Sequence, residues 1–305
     1  MIKGRVFKST GSWYTVFADG KFYECRLRGK LRLDDEKVTN PVAVGDWVNI
    51  APENEKEAII KDVLPRENYL IRKSTRKKKH SHRLASNIDQ AVLVVTLAFP
   101  RTSLGFIDRF LVSCESFRIP AVLVFNKADL LDEEGLEYYE ALKFDYQELG
   151  YKVLLVSAEE NVGIEEFKAS LEGKTSLLAG HSGVGKSTLL NLISPYIEQR
   201  IGEVSESVGK GVHTTTFAEM FEAWAGTFVI DTPGIKELGL WDIGNEELSH
   251  YFPEMRQYIG DCKFNNCTHT HEPGCAFRAA MEEGKIAPSR YESYLSILED
   301  EDSHR

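Results

Sequence analysis

The stretch that decides the fold is Gly180-His181-Ser182-Gly183-Val184-Gly185-Lys186-Ser187, past the middle of a chain of 305 residues. It has the spacing of a phosphate-binding loop. In such a loop the glycines let backbone N–H groups surround a phosphate, and the positive end of the following helix points at the same anion. A strand pattern at 176–178 precedes the stretch, and a helical pattern at 186–193 follows it. We therefore predict a nucleotide site.

The end of this stretch carries the predicted chemistry. Lys186 is expected to reach the β and γ oxygens of a nucleoside triphosphate, which makes it a catalytic as well as a binding residue. Ser187 is expected to ligate Mg²⁺. The next residue, Thr188, is also expected to contact the nucleotide.

The region around the loop alternates apolar runs with helical patterns. Continuous apolar runs at 91–97 and 121–125 are typical of strands in a parallel sheet. Helical patterns occur at 107–117, 136–148 and 164–171, and shorter strand patterns occur at 153–156 and 227–230. This alternation predicts a doubly wound α/β domain over residues 87–244.

A guanine-recognition motif follows the second apolar run. The Asp129 carboxylate can accept hydrogen bonds from guanine N1–H and the exocyclic amine, whereas adenine would leave a buried charge unpaired. Asn126 is expected to support the loop and the base, and Lys127 to pack along the purine. Ser157 and Ala158 end the next strand pattern, where a backbone N–H can contact guanine O6. Together these residues predict a guanine nucleotide.

Two further segments are predicted to meet Mg²⁺ and the γ-phosphate. Asp231 ends the apolar run at 227–230 and is expected to hold Mg²⁺ through water, while the amide of Gly234 senses the γ-phosphate. A threonine between the phosphate loop and Asp231 should complete the Mg²⁺ shell. Thr215 is favoured for this role, and Thr214 is the alternative.

The residue that positions the attacking water is unusual in this chain. Ras-like enzymes have a glutamine directly after the Asp-x-x-Gly motif for this purpose, but here Ile235 occupies that position. The nearest polar candidate is His213, which we predict to be catalytic; an ordinary loop histidine is the alternative. The neighbouring segment 205–211 is rich in Gly and Ser and is interpreted as a mobile switch.

The order of the motifs is also informative. In common GTPases the phosphate loop comes first, whereas here the guanine motif at 126–129 precedes the phosphate loop at 180–187. The same pocket can form if the domain is circularly permuted, with its new ends in surface loops. We therefore expect a circularly permuted P-loop GTPase domain.

The first 66 residues predict a small β-barrel. Strand patterns occur at 4–7, 13–18, 22–27, 46–50 and 58–63. The dipeptide Asp19-Gly20 between two of them indicates a tight hairpin. Five short strands in this length suit an OB-fold, which often binds nucleic acid through aromatic and basic side chains. Candidates for such a face are Trp13, Tyr14, Tyr23, Arg26, Arg28, Lys30 and Arg32; alternatively, the aromatic residues are core and the charges solvated.

Charge is distributed unevenly along the chain. The net charge is −10, yet residues 72–83 contain seven Lys or Arg and no acid. A basic segment in an acidic protein suggests contact with a polyanion, although a solvated linker is the alternative. We predict a basic linker over 67–86. The sequence has no apolar run of membrane-spanning length and no secretory leader pattern, so we expect a cytoplasmic monomer without a membrane partner.

A cysteine and histidine cluster occurs in the C-terminal segment 245–305, which has mostly helical patterns. Its members are Cys262, Cys267, His269 and Cys275. Three thiolates and one imidazole suit tetrahedral Zn²⁺ with no open position, so we predict one structural zinc per chain. His271 could compete for the fourth position, and free core cysteines are the alternative. The close spacing indicates a zinc knuckle that staples a small helical domain.

These features together resemble one known family. An OB-like barrel, a permuted GTPase domain and a Cys/His knuckle, in this order, are similar to the bacterial RsgA (YjeQ/YloQ) family of small-subunit biogenesis GTPases, and the likeness covers nearly the whole chain. Its most specific elements are the motif order, Gly211-Val-His213-Thr-Thr-Thr216, Asp231-Thr-Pro-Gly234 and Cys-x4-Cys-x-His-x5-Cys. One departure is Val212, where family members often have a basic residue.

The resemblance implies a function. It implies hydrolysis of GTP to GDP and phosphate with Mg²⁺, binding to the small ribosomal subunit and its rRNA late in assembly, and stimulation of hydrolysis by the subunit. It also implies that His213 is the catalytic histidine. Two rival functions are a GTP-gated RNA-binding factor whose hydrolysis serves only release, and a P-loop ATPase or small-molecule kinase. The guanine motif argues against the second rival.

Overall fold

The computed structural model describes residues 1–27, 41–73, 81–194, 218–231, 243–244 and 246–302. Its strands and helices follow one another in three groups: an N-terminal barrel, an α/β unit and a C-terminal helical unit. None of the helices in the described ranges has both the length and the apolar character needed to cross a membrane.

The N-terminal group forms a closed barrel. Its strands in the described ranges are β1 (Ile2–Ser9), β2 (Tyr14–Ala18), β3 (Lys21–Leu27), β4 (Trp47–Pro52) and β5 (Glu57–Val63). They pair in the order β1-β2-β3-β5-β4, and β4 pairs with β1 to close the barrel. Only β3 and β5 are parallel. The barrel prediction is confirmed, including the tight turn at Asp19 and Gly20, which both have positive φ.

The aromatic residues of the barrel divide between core and surface. Tyr14 and Tyr23 are buried in its interior. Trp13 is exposed, and the guanidinium of Arg26 lies over its ring, 4.6 Å from the centroid. The other predicted basic candidates, Arg28, Lys30 and Arg32, lie outside the described residues. The two tyrosines are therefore core residues, and Trp13 with Arg26 remains a candidate contact surface.

The segment predicted as a basic linker contains two strands. These are β6 (Tyr69–Lys73) and β7 (Ser81–Ser86), which pair antiparallel with each other. The Ser86 backbone N–H donates to the Val44 carbonyl over 2.9 Å, and the Ser86 hydroxyl donates to Asp46. Sequence reasoning missed this hairpin because its polar and basic composition hides the pairing. Residues 74–80, the centre of the basic run, lie outside the described residues.

The α/β unit is a mainly parallel sheet. Its strands are β8 (Gln90–Val95), β9 (Ala121–Phe125), β10 (Lys152–Leu155), β11 (Thr175–Ala179), β12 (Glu219–Trp224) and β13 (Thr227–Asp231). The order is β10-β9-β8-β11-β13-β12, and β12 alone of these strands is antiparallel to its neighbour. The prediction missed β12. Lys8 of β1 pairs with Glu219 of β12, so the barrel and the sheet are continuous.

Helices cover both faces of this sheet. They are α1 (Leu104–Ser116), α2 (Glu133–Glu148), α3 (Ile164–Leu171) and α4 (Lys186–Ile193). Helices α1 and α2 share one apolar core with alternate strand residues such as Leu93 and Leu123. Helices α3 and α4 share a second core with their neighbours Val92 and Val122. Because strand side chains alternate between the faces, the fully apolar β8 and β9 serve both cores, and the doubly wound prediction is confirmed.

The C-terminal group packs around its own apolar core. It contains 3₁₀ helices at Leu248–Tyr251 and Pro253–Tyr258, then α5 (Ala276–Glu282) and α6 (Pro288–Asp302). Phe252, Phe277 and Tyr294 are fully buried there. Val112 of α1 belongs to the same core, so the C-terminal unit packs directly on the α/β unit.

Candidate nucleotide site and metal centre

The predicted phosphate loop joins β11 to α4, with residues 182, 183, 187 and 188 exposed. Gly185 has φ +96, and a Cβ there would lie 2.3 Å from Nδ2 of Asn126, so glycine is required at this position. The Lys186 ammonium donates to the carbonyls of Gly180 and His181 over 2.7 and 2.8 Å. Lys186 is thereby held against the loop that it is predicted to serve.

Asn126 connects three loops at the ends of neighbouring parallel strands. Its Nδ2 donates to the Val184 carbonyl over 2.8 Å, inside the phosphate loop. Its Oδ1 accepts a hydrogen bond from the Ala158 backbone N–H over 3.3 Å. The carboxyl ends of β9, β10 and β11 therefore bring the predicted guanine and phosphate motifs together, at the edge where open α/β sheets bind ligands.

The predicted guanine contacts are held by local hydrogen bonds. The buried Ser157 hydroxyl donates to Oδ1 of Asp129, and Ser157 Oγ accepts from the Glu160 backbone N–H over 3.1 Å. Asp129 itself is exposed. Lys127 has φ +66, and its ammonium donates to the Phe99 carbonyl over 2.9 Å. These contacts fix the direction of the Asp129 carboxylate without covering it.

A loop between β8 and α1 was missed by the sequence reasoning. Thr96 and Thr102 close it: the Thr102 N–H donates to the Thr96 carbonyl over 2.9 Å, and Thr102 Oγ1 accepts from the Thr96 N–H over 3.2 Å. Pro100 in this loop lies 3.6 Å from the position of a Cβ on Gly183. Because the residue types of the loop carry no catalytic chemistry, only the tertiary contacts show its nearness to the phosphate loop.

Asp231 ends β13 beside the phosphate loop. Burial raises the pKa of Asp231, while the nearby Lys186 ammonium acts to lower it. Glu219 is its cross-strand neighbour and forms an ion pair with Lys8 over 3.2 Å. Lys186 and Asp231 are thus close enough to interact. The remaining predicted residues of this site, His213, Thr214, Thr215 and Gly234, lie outside the described residues, as does Ile235.

The four predicted metal ligands converge. The ligand atoms of Cys262, Cys267, His269 and Cys275 all lie within 4.8 Å of one another. The His269 Nδ1 lies 3.5 Å from the Cys262 sulfur and 3.6 Å from the Cys275 sulfur. Tetrahedral zinc with such ligands needs separations of about 3.3–3.8 Å, given its bond lengths. The two His–Cys separations lie in this range, and the sulfurs of Cys262 and Cys275 are slightly wider apart, at 4.0 Å. The donor set therefore suits a zinc ion, while His271 is exposed and contacts Thr270.

The surroundings of this cluster hold its loop in shape. Burial lowers the pKa of His269, which favours the neutral imidazole that a metal requires. The Glu272 carboxylate accepts hydrogen bonds from Thr268 N–H, Thr268 Oγ1 and Thr270 N–H, over 2.7, 2.6 and 3.1 Å. Glu272 was not predicted, although an acid between two metal ligands is a usable signal for an outer-shell role.

Comparisons with known sequences agree with these features. The family model described as RsgA GTPase matches residues 63–241, and the one described as RsgA N-terminal domain matches residues 3–60. A Cytophaga hutchinsonii protein named small ribosomal subunit biogenesis GTPase RsgA is 55% identical, with 100% of both chains covered. A Bacteroides thetaiotaomicron relative, small ribosomal subunit biogenesis GTPase RsgA 2, is 51% identical over 99% of this chain and 97% of its own.

Solved structures agree as well. YjeQ from Thermotoga maritima is 39% identical, with a TM-score of 0.78 and 98% of each chain covered. YloQ, described as a circularly permuted GTPase, is 31% identical, with a TM-score of 0.75 over 100% of this chain and 96% of that one. With the barrel, the permuted motif order and the Cys/His cluster, these likenesses show that the chain belongs to the RsgA GTPase family and is a GTP-hydrolysing enzyme.

Proposed function

We propose that this enzyme binds GTP and GDP, hydrolyses GTP, and acts as a late maturation factor of the small ribosomal subunit. The observation that supports it best is the Asn126 side chain, which bonds the Val184 carbonyl of the phosphate loop and the Ala158 amide of the guanine site. One residue thereby joins two motifs that lie far apart in the chain and that occur in an unusual order. The names of the relatives support the ribosomal role.

Guanine selection rests on the geometry of Asp129. Its carboxylate is exposed and held by the Ser157 hydroxyl, so it is oriented before the base binds. A base with an N1–H and an exocyclic amine satisfies both carboxylate oxygens, whereas adenine leaves them unpaired. Lys127 is proposed to pack beside the purine, and the Ala158 backbone N–H, which donates to Asn126 Oδ1 in this structure, is proposed as the donor to guanine O6.

The phosphates occupy the loop 180–188. Its backbone N–H groups surround the β-phosphate, and Lys186 exchanges its bonds with the Gly180 and His181 carbonyls for phosphate oxygens. Ser187 and Thr215 would hold Mg²⁺, with Asp231 contacting it through water. The ion would neutralise negative charge on the β- and γ-phosphates.

Hydrolysis is the attack of one water on the γ-phosphorus. A new P–O bond forms, the bond from the γ-phosphorus to the β–γ bridging oxygen breaks, and a proton of the water passes to a phosphate oxygen as GDP and inorganic phosphate leave. We propose that His213 positions this water, since Ile235 has no group that can do so. Gly234 donates its backbone N–H to the γ-phosphate.

The C-terminal cluster is proposed as a structural zinc site. Cys262, Cys267, His269 and Cys275 would supply all four ligands of a zinc ion, which would stabilise the fold of the knuckle and take no part in the reaction. One zinc per chain is expected.

The RNA contacts are assigned to the barrel and the basic run. Trp13 with Arg26 offers an exposed aromatic surface under a cation, and residues 72–83 supply seven positive charges. Both suit rRNA, where phosphate neutralisation dominates affinity. We propose a barrel over 1–66, a basic linker over 67–86, the GTPase domain over 87–244 and the zinc domain over 245–305. We further propose a cytoplasmic monomer without membrane attachment.

The deciding experiment is GTP hydrolysis with and without purified small ribosomal subunits. Stimulation by small subunits, absent with large subunits, supports the proposal. A rate that does not respond to subunits contradicts the ribosomal role. His213→Ala tests the rival in which hydrolysis serves release alone, since that variant should keep its GTP affinity and would then dock but fail to leave. Competition between GTP and ATP tests the ATPase or kinase alternative.

A further inference from the structure

Helix α1 is clamped between the sheet and the C-terminal unit. Ile107, Phe110 and Leu111 pack into the core on one face of the sheet. Asp108 and Glu115 lie on another face, one turn before and one turn after Val112, which packs into the C-terminal core. The spacing i, i+4, i+7 puts these three residues in one row along the helix. Helix α1 therefore has a row of residues that contacts the C-terminal unit.

A buried cluster of charged side chains joins this row of α1 to the C-terminal unit. The Arg290 guanidinium of α6 pairs with Asp108, and its Nε donates to Glu254 Oε1 over 2.7 Å. The Arg290 side chain is 3% exposed and that of Asp108 is fully buried. Burial lowers the pKa of Arg290, but the two carboxylates outweigh it and raise the pKa. The arginine therefore stays charged, and its two carboxylate partners fix the direction of its guanidinium.

Helix α6 also holds the metal loop. The Tyr291 hydroxyl, next to Arg290, donates to the His269 carbonyl over 2.6 Å. The Tyr294 hydroxyl donates to the Thr268 carbonyl over 2.8 Å. His269 has φ +62, a conformation that needs support from its surroundings. The same helix thus contacts both the predicted metal ligand and helix α1.

At its N-terminal end, two residues before Asp108, α1 reaches the nucleotide pocket. The ring centroids of Phe106 and of His181 in the phosphate loop lie 3.9 Å apart. The loop directly before α1 contacts Gly183 through Pro100 and Lys127 through the Phe99 carbonyl. A helix of 13 residues spans about 20 Å. Contacts between side chains therefore run from the phosphate loop through α1 and α6 to the metal loop.

We propose that α1 couples the nucleotide pocket to the metal centre, with Arg290 as the positioning residue between them. Nucleotide binding, by positioning the phosphate loop against Phe106, then tightens metal binding. Metal loss, by releasing the His269 loop from α6, weakens nucleotide binding by the same factor, since such linkage is reciprocal. This inference rests on the proposed nucleotide and zinc sites, and it concerns their linkage.

The test is the zinc affinity of the full chain, measured at equilibrium by competition with a chromogenic chelator, with and without GDP and Mg²⁺. GDP should raise the zinc affinity about fivefold or more, a typical size for coupled sites. Arg290→Met should bring this ratio close to one. The matched control is Lys285→Met. Lys285 is an exposed cation of the same C-terminal unit and pairs with Glu283, so its loss should leave the ratio unchanged.

A second variant keeps the test decisive if Arg290→Met folds poorly. Phe106→Leu preserves an apolar side chain and leaves the ion cluster intact, yet it should also lower the ratio. A ratio near one in the unaltered chain, or an undiminished ratio in both variants, overturns the inference. GDP titration and zinc analysis come first: a chain that binds neither contradicts the proposed function, whereas one that binds both without linkage contradicts the coupling alone.

Discussion

At the scale of single residues, the guanine pocket depends on hydrogen bonds that orient side chains before the nucleotide arrives. Ser157 holds Asp129, and Asn126 holds the phosphate loop through Val184. Pre-orientation matters because a carboxylate that is already fixed loses little conformational entropy on binding. A change of one atom in Asp129 should therefore alter specificity more than it alters the fold.

Asp129→Asn should switch the preferred base. The amide presents a donor where guanine also presents one, so GTP affinity should fall about 10–100-fold, the worth of one or two hydrogen bonds to a charged group. Xanthosine triphosphate, whose pattern is complementary, should bind better than GTP. Competition binding measures both. Asp62→Asn, the same change at an exposed barrel position, is the control, and an unchanged preference in Asp129→Asn would contradict the assignment.

His213→Ala tests the proposed water-positioning residue. GTP affinity should stay nearly intact, because binding rests on Lys186, Ser187 and Asp129. The subunit-stimulated rate should fall about 10²–10⁴-fold, the usual contribution of a positioned base. Single-turnover hydrolysis with saturating subunits measures this. If the variant keeps the full stimulated rate, His213 is an ordinary loop residue and another group positions the water.

At the scale of elements, the hairpin β6–β7 changes the interpretation of the basic run. The run was interpreted as a linker, yet its two ends lie in paired strands, and Ser86 of β7 donates its backbone N–H to the Val44 carbonyl before β4. Residues 74–80, between the two strands, lie outside the described residues. The sequence has seven positive charges within residues 72–83, which suits a local contact with RNA phosphates.

Replacing the four basic residues 76–79 by serine should flatten the salt dependence of RNA binding. If all four contact duplex phosphates, the slope of log affinity against log salt should change by roughly 3–4 units. Filter binding over a salt series measures it. The control replaces four lysines outside the segment, Lys143, Lys152, Lys168 and Lys285. Equal slopes in both variants would mean that the run is a solvated tether.

At the scale of the whole molecule, the barrel and the GTPase unit share a sheet and a polar junction. The Arg5 guanidinium donates to the Thr175 hydroxyl over 2.9 Å and to the Asn87 carbonyl over 3.1 Å. It also lies 5.3 Å from the centroids of the Trp47 and Phe228 rings. One side chain of β1 thereby joins the barrel wall to the edge of the nucleotide-binding sheet.

Arg5→Met should lower the free energy of unfolding by about 1–3 kcal/mol, because half-buried acceptors lose a charged donor. The midpoint of urea denaturation measures the change. Lys3→Met, on the same strand but exposed over Trp47, should change the midpoint much less. Equal effects of the two substitutions would mean that the junction adds no stability beyond that of an exposed cation.

Much of this molecule could be predicted from local patterns. The apolar runs at 121–125 and 227–230 predicted their strands, and the spacing at 164–171 and 186–193 predicted helices α3 and α4. Periodicity and motif spacing are local properties, so they are readable in one dimension. The strand Glu219–Trp224 and the hairpin β6–β7 were missed because their pairing, and not their composition, makes them strands.

The sequence by itself determined the permuted motif order, the family resemblance and the identity of the four Cys and His residues that converge. Only the tertiary structure decided which chain segments surround them. The contacts of Pro100 with Gly183, Tyr291 with His269 and Arg290 with Asp108 join residues far apart in the chain. No local pattern encodes such pairs, because packing and desolvation act between surfaces that meet only after folding.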